Sequence, residues 1–119
     1  LINEIAPRPH NSGHYTLDAC SVSQFEQQVR ALCRLPLGEV RLLSPAAMVN
    51  VIGQDLVAVT SCQGCRDLLA TPGAVLHLYG KRVVRPKRKM GHVSFLAATR
   101  EAALSKASVF RSRLVLPHS

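Results

Sequence analysis

Twelve consecutive residues, Asn3-Glu4-Ile5-Ala6-Pro7-Arg8-Pro9-His10-Asn11-Ser12-Gly13-His14, constrain the fold more than any other feature of this chain. Pro7 and Pro9 fix φ and donate no hydrogen bond, and Gly13 supplies backbone conformations that other residues avoid. The segment therefore reads as a rigid loop over residues 6–15, preceded by a short strand, Leu1 to Ile5, that delivers Glu4. It also carries a carboxylate, a guanidinium, two imidazoles and two amides. A solvated loop has no need of so many polar heads. A site that binds anions and a metal does.

The rest of the composition narrows the class. At 119 residues, 47% hydrophobic and 18% charged, the chain is globular rather than disordered and of a size for one domain. With 4% aromatics and no Trp, its core must be aliphatic. No apolar run approaches the roughly 18 residues that cross a membrane, so no membrane partner is expected. No signal peptide is visible, because Glu4 stands where an apolar stretch would be needed. The chain has no initiating Met and opens in a strand-like run, which reads as a piece of a larger protein.

The formal net charge is +8, but it is local. Lys81, Arg82, Arg85, Lys87, Arg88 and Lys89 lie within nine residues, and without them only +2 remains. Such a patch suits one phosphate group better than a polynucleotide, and few aromatics are available to stack bases. Nucleic acid is thus not the expected partner. Cys20 and Cys33 fall in an apolar-periodic segment and read as small core residues. Cys62-Gln63-Gly64-Cys65 is a lone C-x-x-C, short of the four ligands of a structural zinc site, and reads as an ordinary reduced pair in a reducing, cytoplasmic setting.

Along the chain, Thr16 reads as the N-cap of a helix whose apolar residues Leu17, Val22, Phe25, Val29 and Leu32 are mostly three or four apart. That helix is expected to end near Arg34, before Pro36. Leu35-Pro36-Leu37-Gly38 reads as a turn and the domain junction. Strands are expected over Ala46–Ile52, Ala74–Tyr79 and His92–Ala97, the last two as a hairpin across a basic loop, 80–91. A short helix is expected near Cys65–Ala70, a turn at Thr71-Pro72-Gly73 and a helix over Thr99–Phe110. Leu114-Val115-Leu116 reads as a strand stub or a frayed tail.

Several irregular motifs occur in order: Asn3 to Thr16, Ser23-Gln24-Phe25-Glu26-Gln27, Leu35-Pro36-Leu37-Gly38, Met48-Val49-Asn50-Val51-Ile52-Gly53, His77-Leu78-Tyr79-Gly80-Lys81 and Arg85-Pro86-Lys87-Arg88-Lys89-Met90-Gly91-His92. Together they resemble the C-terminal part of the N5-carboxyaminoimidazole ribonucleotide synthetases, a purine-biosynthesis branch of the ATP-grasp ligases. The resemblance covers residues 1 to about 100. It implies an α+β fold in which residues 1–35 close an ATP-grasp domain and residues 36–119 form a small C-terminal domain, with a mostly antiparallel sheet and flanking helices. Two departures stand out. Ala6 replaces the asparagine ligand of the wider superfamily, as the purine branch also does. Lys87 replaces a glycine of the basic loop.

The resemblance also implies roles. Glu4 would bind Mg2+, and Asn3 would lie at the nucleotide phosphates. Arg8 and His10 would act catalytically on bicarbonate or its phosphorylated form, with Asn11 beside them on the substrate. Lys81 and Arg88 would hold the 5′-phosphate of aminoimidazole ribonucleotide. The implied reaction consumes ATP, bicarbonate and that ribonucleotide and yields the N5-carboxylated ribonucleotide, ADP and phosphate. The parent enzyme would be a homodimer, and the isolated chain would be inactive because half the ATP site lies elsewhere. A sister enzyme, the formate-dependent glycinamide ribonucleotide formyltransferase, is disfavoured by Asn11-Ser12 and His14-Tyr15. A non-catalytic module binding RNA through residues 81–89 is the alternative of a different class, and steep salt dependence of RNA affinity would mark it.

Overall fold

The computed structural model describes Ile2 and residues 5–115. They form two compact units, residues 1–44 and 45–119. The expected strand at Leu1–Ile5 falls largely on residues outside those described.

In the first unit, a 3-10 turn at Asn11–Gly13 leads into α1 (Thr16–Ala19) and α2 (Gln24–Leu32). The single helix expected from Thr16 to Arg34 is therefore two. Thr16 is the first helical residue rather than the cap, and its hydroxyl donates to the Gly13 carbonyl at 2.6 Å. Between the helices, Cys20 pairs with Leu42 in an isolated antiparallel bridge. Ser23 restarts the helix by accepting a hydrogen bond from the Glu26 amide, the S-x-x-E arrangement that favours a helix start. Arg34, at φ 57, ends the run after Cys33. Cys33 is exposed and Cys20 half-buried, so the expected core role does not hold for Cys33.

The second unit is a three-stranded antiparallel sheet with helices packed on one face. β1 (Ala46–Ile52), β2 (Ala74–Leu78) and β3 (Lys89–Leu96) stand in the order β1-β3-β2. Val49, Val51, Val93 and Phe95 alternate onto the core face, where they meet Val59, Leu68, Ala107, Phe110 and Leu114. Between the pairs Val51–Gly91 and Ile52–Lys89 the register slips by one residue. Met90 is the extra residue of this bulge, and it too joins the core. Gly91 admits no side chain, because a Cβ there would overlap the His77 carbonyl oxygen.

The helices are α3 (Asp55–Thr60), α4 (Cys62–Ala70) and α5 (Arg100–Val115). The segment 55–70 thus holds two helices where one short helix was expected. Ser61 caps α4 by accepting from the Gly64 amide at 3.1 Å. α5 buries Ala103, Ala107, Phe110 and Leu114, a stripe at helical spacing. It runs through Leu114 and Val115, which corrects the expected strand stub; Leu116 lies outside the described residues. Phe95 and Phe110 tie sheet to helix, with ring centroids 5.5 Å apart. The α+β class and the antiparallel sheet with flanking helices are as expected.

Candidate functional site

The polar loop of the first unit is held by one side chain that the sequence did not single out. Gln24 Oε1 accepts from the His10 amide at 3.0 Å, and Gln24 Nε2 donates to the His10 carbonyl at 2.9 Å. The same Nε2 lies 2.8 Å from His14 Nδ1. A Cβ at Gly13 would collide with this amide, so glycine is what lets the loop close over Gln24. Phe25 adds a ring contact to His14 at 5.5 Å. Thr16 Oγ1 accepts from the Gln24 amide at 3.0 Å, which locks helix start and loop together. Ser23 to Glu26 is therefore the scaffold of the loop as well as a helix start.

On that scaffold, His10 turns its Nδ1 inward, 3.0 Å from Ser12 Oγ, where it also accepts from the Ser12 amide. Arg8 is exposed, with Nη1 3.3 Å from the Pro9 carbonyl. It borders a cleft of about 530 Å3, together with Pro7, Pro9, Val22 and Leu37. Asn11 opens the 3-10 turn. Residues 5–15 contain no carboxylate, so their donors suit an oxyanion and not Mg2+, a hard cation that prefers oxygen ligands. Asn3 and Glu4, the expected nucleotide and metal residues, lie outside the described residues.

The basic loop is the second candidate, and it lies in the second unit. Gly80, at φ 73, turns the chain after β2. Lys81 Nζ then donates to the Lys89 carbonyl at 2.7 Å and sits 5.5 Å from the Tyr79 ring centroid. Arg88 Nη1 donates to the Val83 carbonyl at 2.9 Å. The Arg88 amide closes a turn on Arg85, and its carbonyl accepts from the Gly53 amide at 2.8 Å. Lys81 is thus tethered at the residue next to Arg88, while the Arg88 guanidinium is held at Val83. Lys87 takes φ 65, the left-handed conformation its replacement of glycine called into play. Tyr79 Oη lies 2.9 Å from Nδ1 of the buried His92, which stacks on His77 at 4.6 Å. The sequence signal for this cluster was the alternation His77, Tyr79 along a strand, which places both on one face.

Cys62 and Cys65 are free thiols in the first turn of α4. Gly64 between them has a packing reason: a Cβ there would overlap the Ala58 carbonyl of α3. Among the described residues, no helix is long and apolar enough to cross a membrane.

The polar loop of the first unit and the basic loop of the second each fall in a segment that known proteins share. The model of the phosphoribosylaminoimidazole carboxylase C-terminal domain matches residues 46–106, and the ATP-grasp domain matches residues 1–25. The chain belongs to the phosphoribosylaminoimidazole carboxylase family, a family of ATP-grasp enzymes. It is 51% identical over 96 residues to the N5-carboxyaminoimidazole ribonucleotide synthase of Bacillus subtilis, covering 81% of this chain and 24% of that protein. The N5-carboxyaminoimidazole ribonucleotide synthetase structure from Thermotoga maritima superposes with a TM-score of 0.81 at 48% identity, over 94% of this chain and 31% of the other. The Aspergillus clavatus N5-carboxyaminoimidazole synthase, solved with ADP and 5-aminoimidazole ribonucleotide, does so with a TM-score of 0.78 at 34% identity, over 90% and 29%. The chain spans about a quarter of the length of the curated relatives it matches.

Proposed function

We propose that this chain forms the C-terminal part of an ATP-dependent ligase that carboxylates 5-aminoimidazole ribonucleotide with bicarbonate, giving N5-carboxyaminoimidazole ribonucleotide, ADP and phosphate. The observation that carries the reading is the basic loop. Lys81 and Arg88 are each anchored to a backbone carbonyl of it, Lys81 at Lys89 and Arg88 at Val83, in a stretch without a carboxylate, and a relative was solved with 5-aminoimidazole ribonucleotide. Charge-assisted bonds to a phosphate dianion are among the stronger hydrogen bonds.

In this reading residues 1–35 close the ATP-grasp domain and residues 36–119 form the small C-terminal domain. Arg8 forks onto the planar bicarbonate and onto the charge that develops on its oxygens, as guanidinium groups do for planar anions. His10 and Asn11 donate to the same oxyanion, and the Gln24 clamp keeps their loop preorganised, which is where electrostatic catalysis gains most. Glu4 would hold Mg2+ and Asn3 the nucleotide, and ATP so bound would supply the phosphoryl group that activates bicarbonate. Lys81 and Arg88 fix the ribonucleotide. The activity is that of the longer, homodimeric enzyme in the cytoplasm; residues 1–119 alone bind the ribonucleotide without turning it over.

A chimera tests this, with residues 1–119 replacing the matching quarter of the Bacillus subtilis relative. Its release of ADP should depend on bicarbonate and the ribonucleotide. Arg8→Ala should lower kcat by about 100-fold or more, and Lys81→Ala should raise KM for the ribonucleotide about tenfold. A folded chimera without activity, or one whose kinetics ignore both substitutions, overturns the reading.

A further inference from the structure

Beneath Lys81 lies a stack of rings that extends across two strands. β2 and β3 set His77 directly opposite His92, with ring centroids 4.6 Å apart and planes inclined by 23°. Tyr79, the residue just after β2, meets the His92 ring at 5.9 Å and bonds its Nδ1 through the phenol oxygen at 2.9 Å. Lys81 Nζ sits over the far end, 5.5 Å from the Tyr79 centroid. His92 is 1% exposed, and Tyr79 and Lys81 are half-buried.

A core assembled only for stability gains little from this arrangement. Burying an imidazole is costly unless its polar atoms are used, and the opposite face of the same strands is filled by valines and phenylalanine. Ordering a lysine also forfeits much of its side-chain freedom. The stack spends both costs in one place, and their joint effect is to fix one ammonium group. Whichever atom carries the proton, the Tyr79–His92 bond fixes the phenol ring, and the ring face then attracts Lys81. The Lys89 carbonyl takes one of the three ammonium donors, which orients the others.

We propose that Tyr79 and His92 are positioning residues that preset the Lys81 ammonium for a phosphate monoester. The inference rests on the reading above that Lys81 holds the ribonucleotide phosphate. It assigns to a tyrosine and a histidine away from the phosphate the task of paying, in the unliganded protein, the ordering cost that binding would otherwise meet.

The test is calorimetric titration of the full chain with 5-aminoimidazole ribonucleotide and with the riboside that lacks the phosphate. The readout is the ratio of the two affinities, which general loosening of the fold does not change selectively. Lys81→Ala should abolish the preference for the ribonucleotide. Tyr79→Phe, which keeps the ring but loses the bond to His92, should reduce the ratio about fivefold. Tyr79→Leu, which also loses the ring face, should reduce it more than tenfold, and riboside affinity should stay unchanged in both. His92→Gln should follow Tyr79→Phe; if that buried substitution unfolds the chain, the two Tyr79 variants decide alone. Loss of preference in Lys81→Ala with full preference in both Tyr79 variants overturns the inference and leaves the phosphate reading standing. An undiminished preference in Lys81→Ala, or no preference in the native chain, overturns both.

Discussion

Two residues show how much a single backbone angle or amide decides here. Lys87 holds φ 65, where an L side chain costs about 1–2 kcal/mol. It is exposed and makes up none of that cost by burial. Lys87→Gly is therefore expected to raise stability by about 1 kcal/mol, seen as a higher urea midpoint with an unchanged slope; a lower midpoint would refute the strain. Gln24 is the converse case. Its amide serves the His10 N–H, the His10 carbonyl and His14 at once. Gln24→Ala leaves part-buried backbone groups without a partner and should cost about 1–3 kcal/mol. Hydrogen exchange should show the His10 amide losing protection well before the second unit does. Equal loss in both units would mean that Gln24 is not specific to the loop.

At the scale of elements, packing sets what can stand between α3 and α4. Gly64→Ala forces a Cβ onto the Ala58 carbonyl, a backbone atom that cannot swing aside, and should cost about 2–3 kcal/mol. Ser61→Ala removes only the α4 cap and should cost about 1 kcal/mol. Thermal melts of the two variants should rank them in that order. The strands were legible in the sequence because Ala46–Ile52 and Ala74–Leu78 are short apolar runs closed by turns such as Thr71-Pro72-Gly73. The split of α1 from α2 was not read, although the five-residue step from Leu17 to Val22 breaks helical spacing. The Cys20–Leu42 bridge that occupies the break joins residues far apart in sequence. α5 ran past its expected end because Leu114 is buried against the core, a tertiary gain that outweighs the poor helix propensity of a final valine. The polar groups of the loop were likewise legible as residue types. The clamp that orients them, between residues 10 and 24, exists only in three dimensions.

The whole molecule is uneven in how it buries its apolar groups. Every member of the core cluster belongs to the second unit. In the first unit, Ala19 and Val22 are the buried hydrophobics among the described residues, while Val29, Leu32, Leu37 and Leu43 are more than half exposed. Residues 45–119 expressed alone should therefore unfold cooperatively, with a sigmoidal denaturation curve and dispersed amide resonances. Residues 1–44 alone should show neither. A cooperative transition in the short piece would locate stability where no core is visible.

The strand order has a consequence for how the chain is made. β3 comes last in sequence yet lies between the other two. β1 finds its partner across 37 residues at Ile52–Lys89 and 50 at Ala46–Leu96. At a synthesis rate of roughly 5–20 residues per second, β1 leaves the ribosome roughly 2–10 s before β3 can receive it. Val49 and Val51 spend that interval without their sheet. A pause in translation just before residue 96 would prolong their exposure, and a holding chaperone would find its target there.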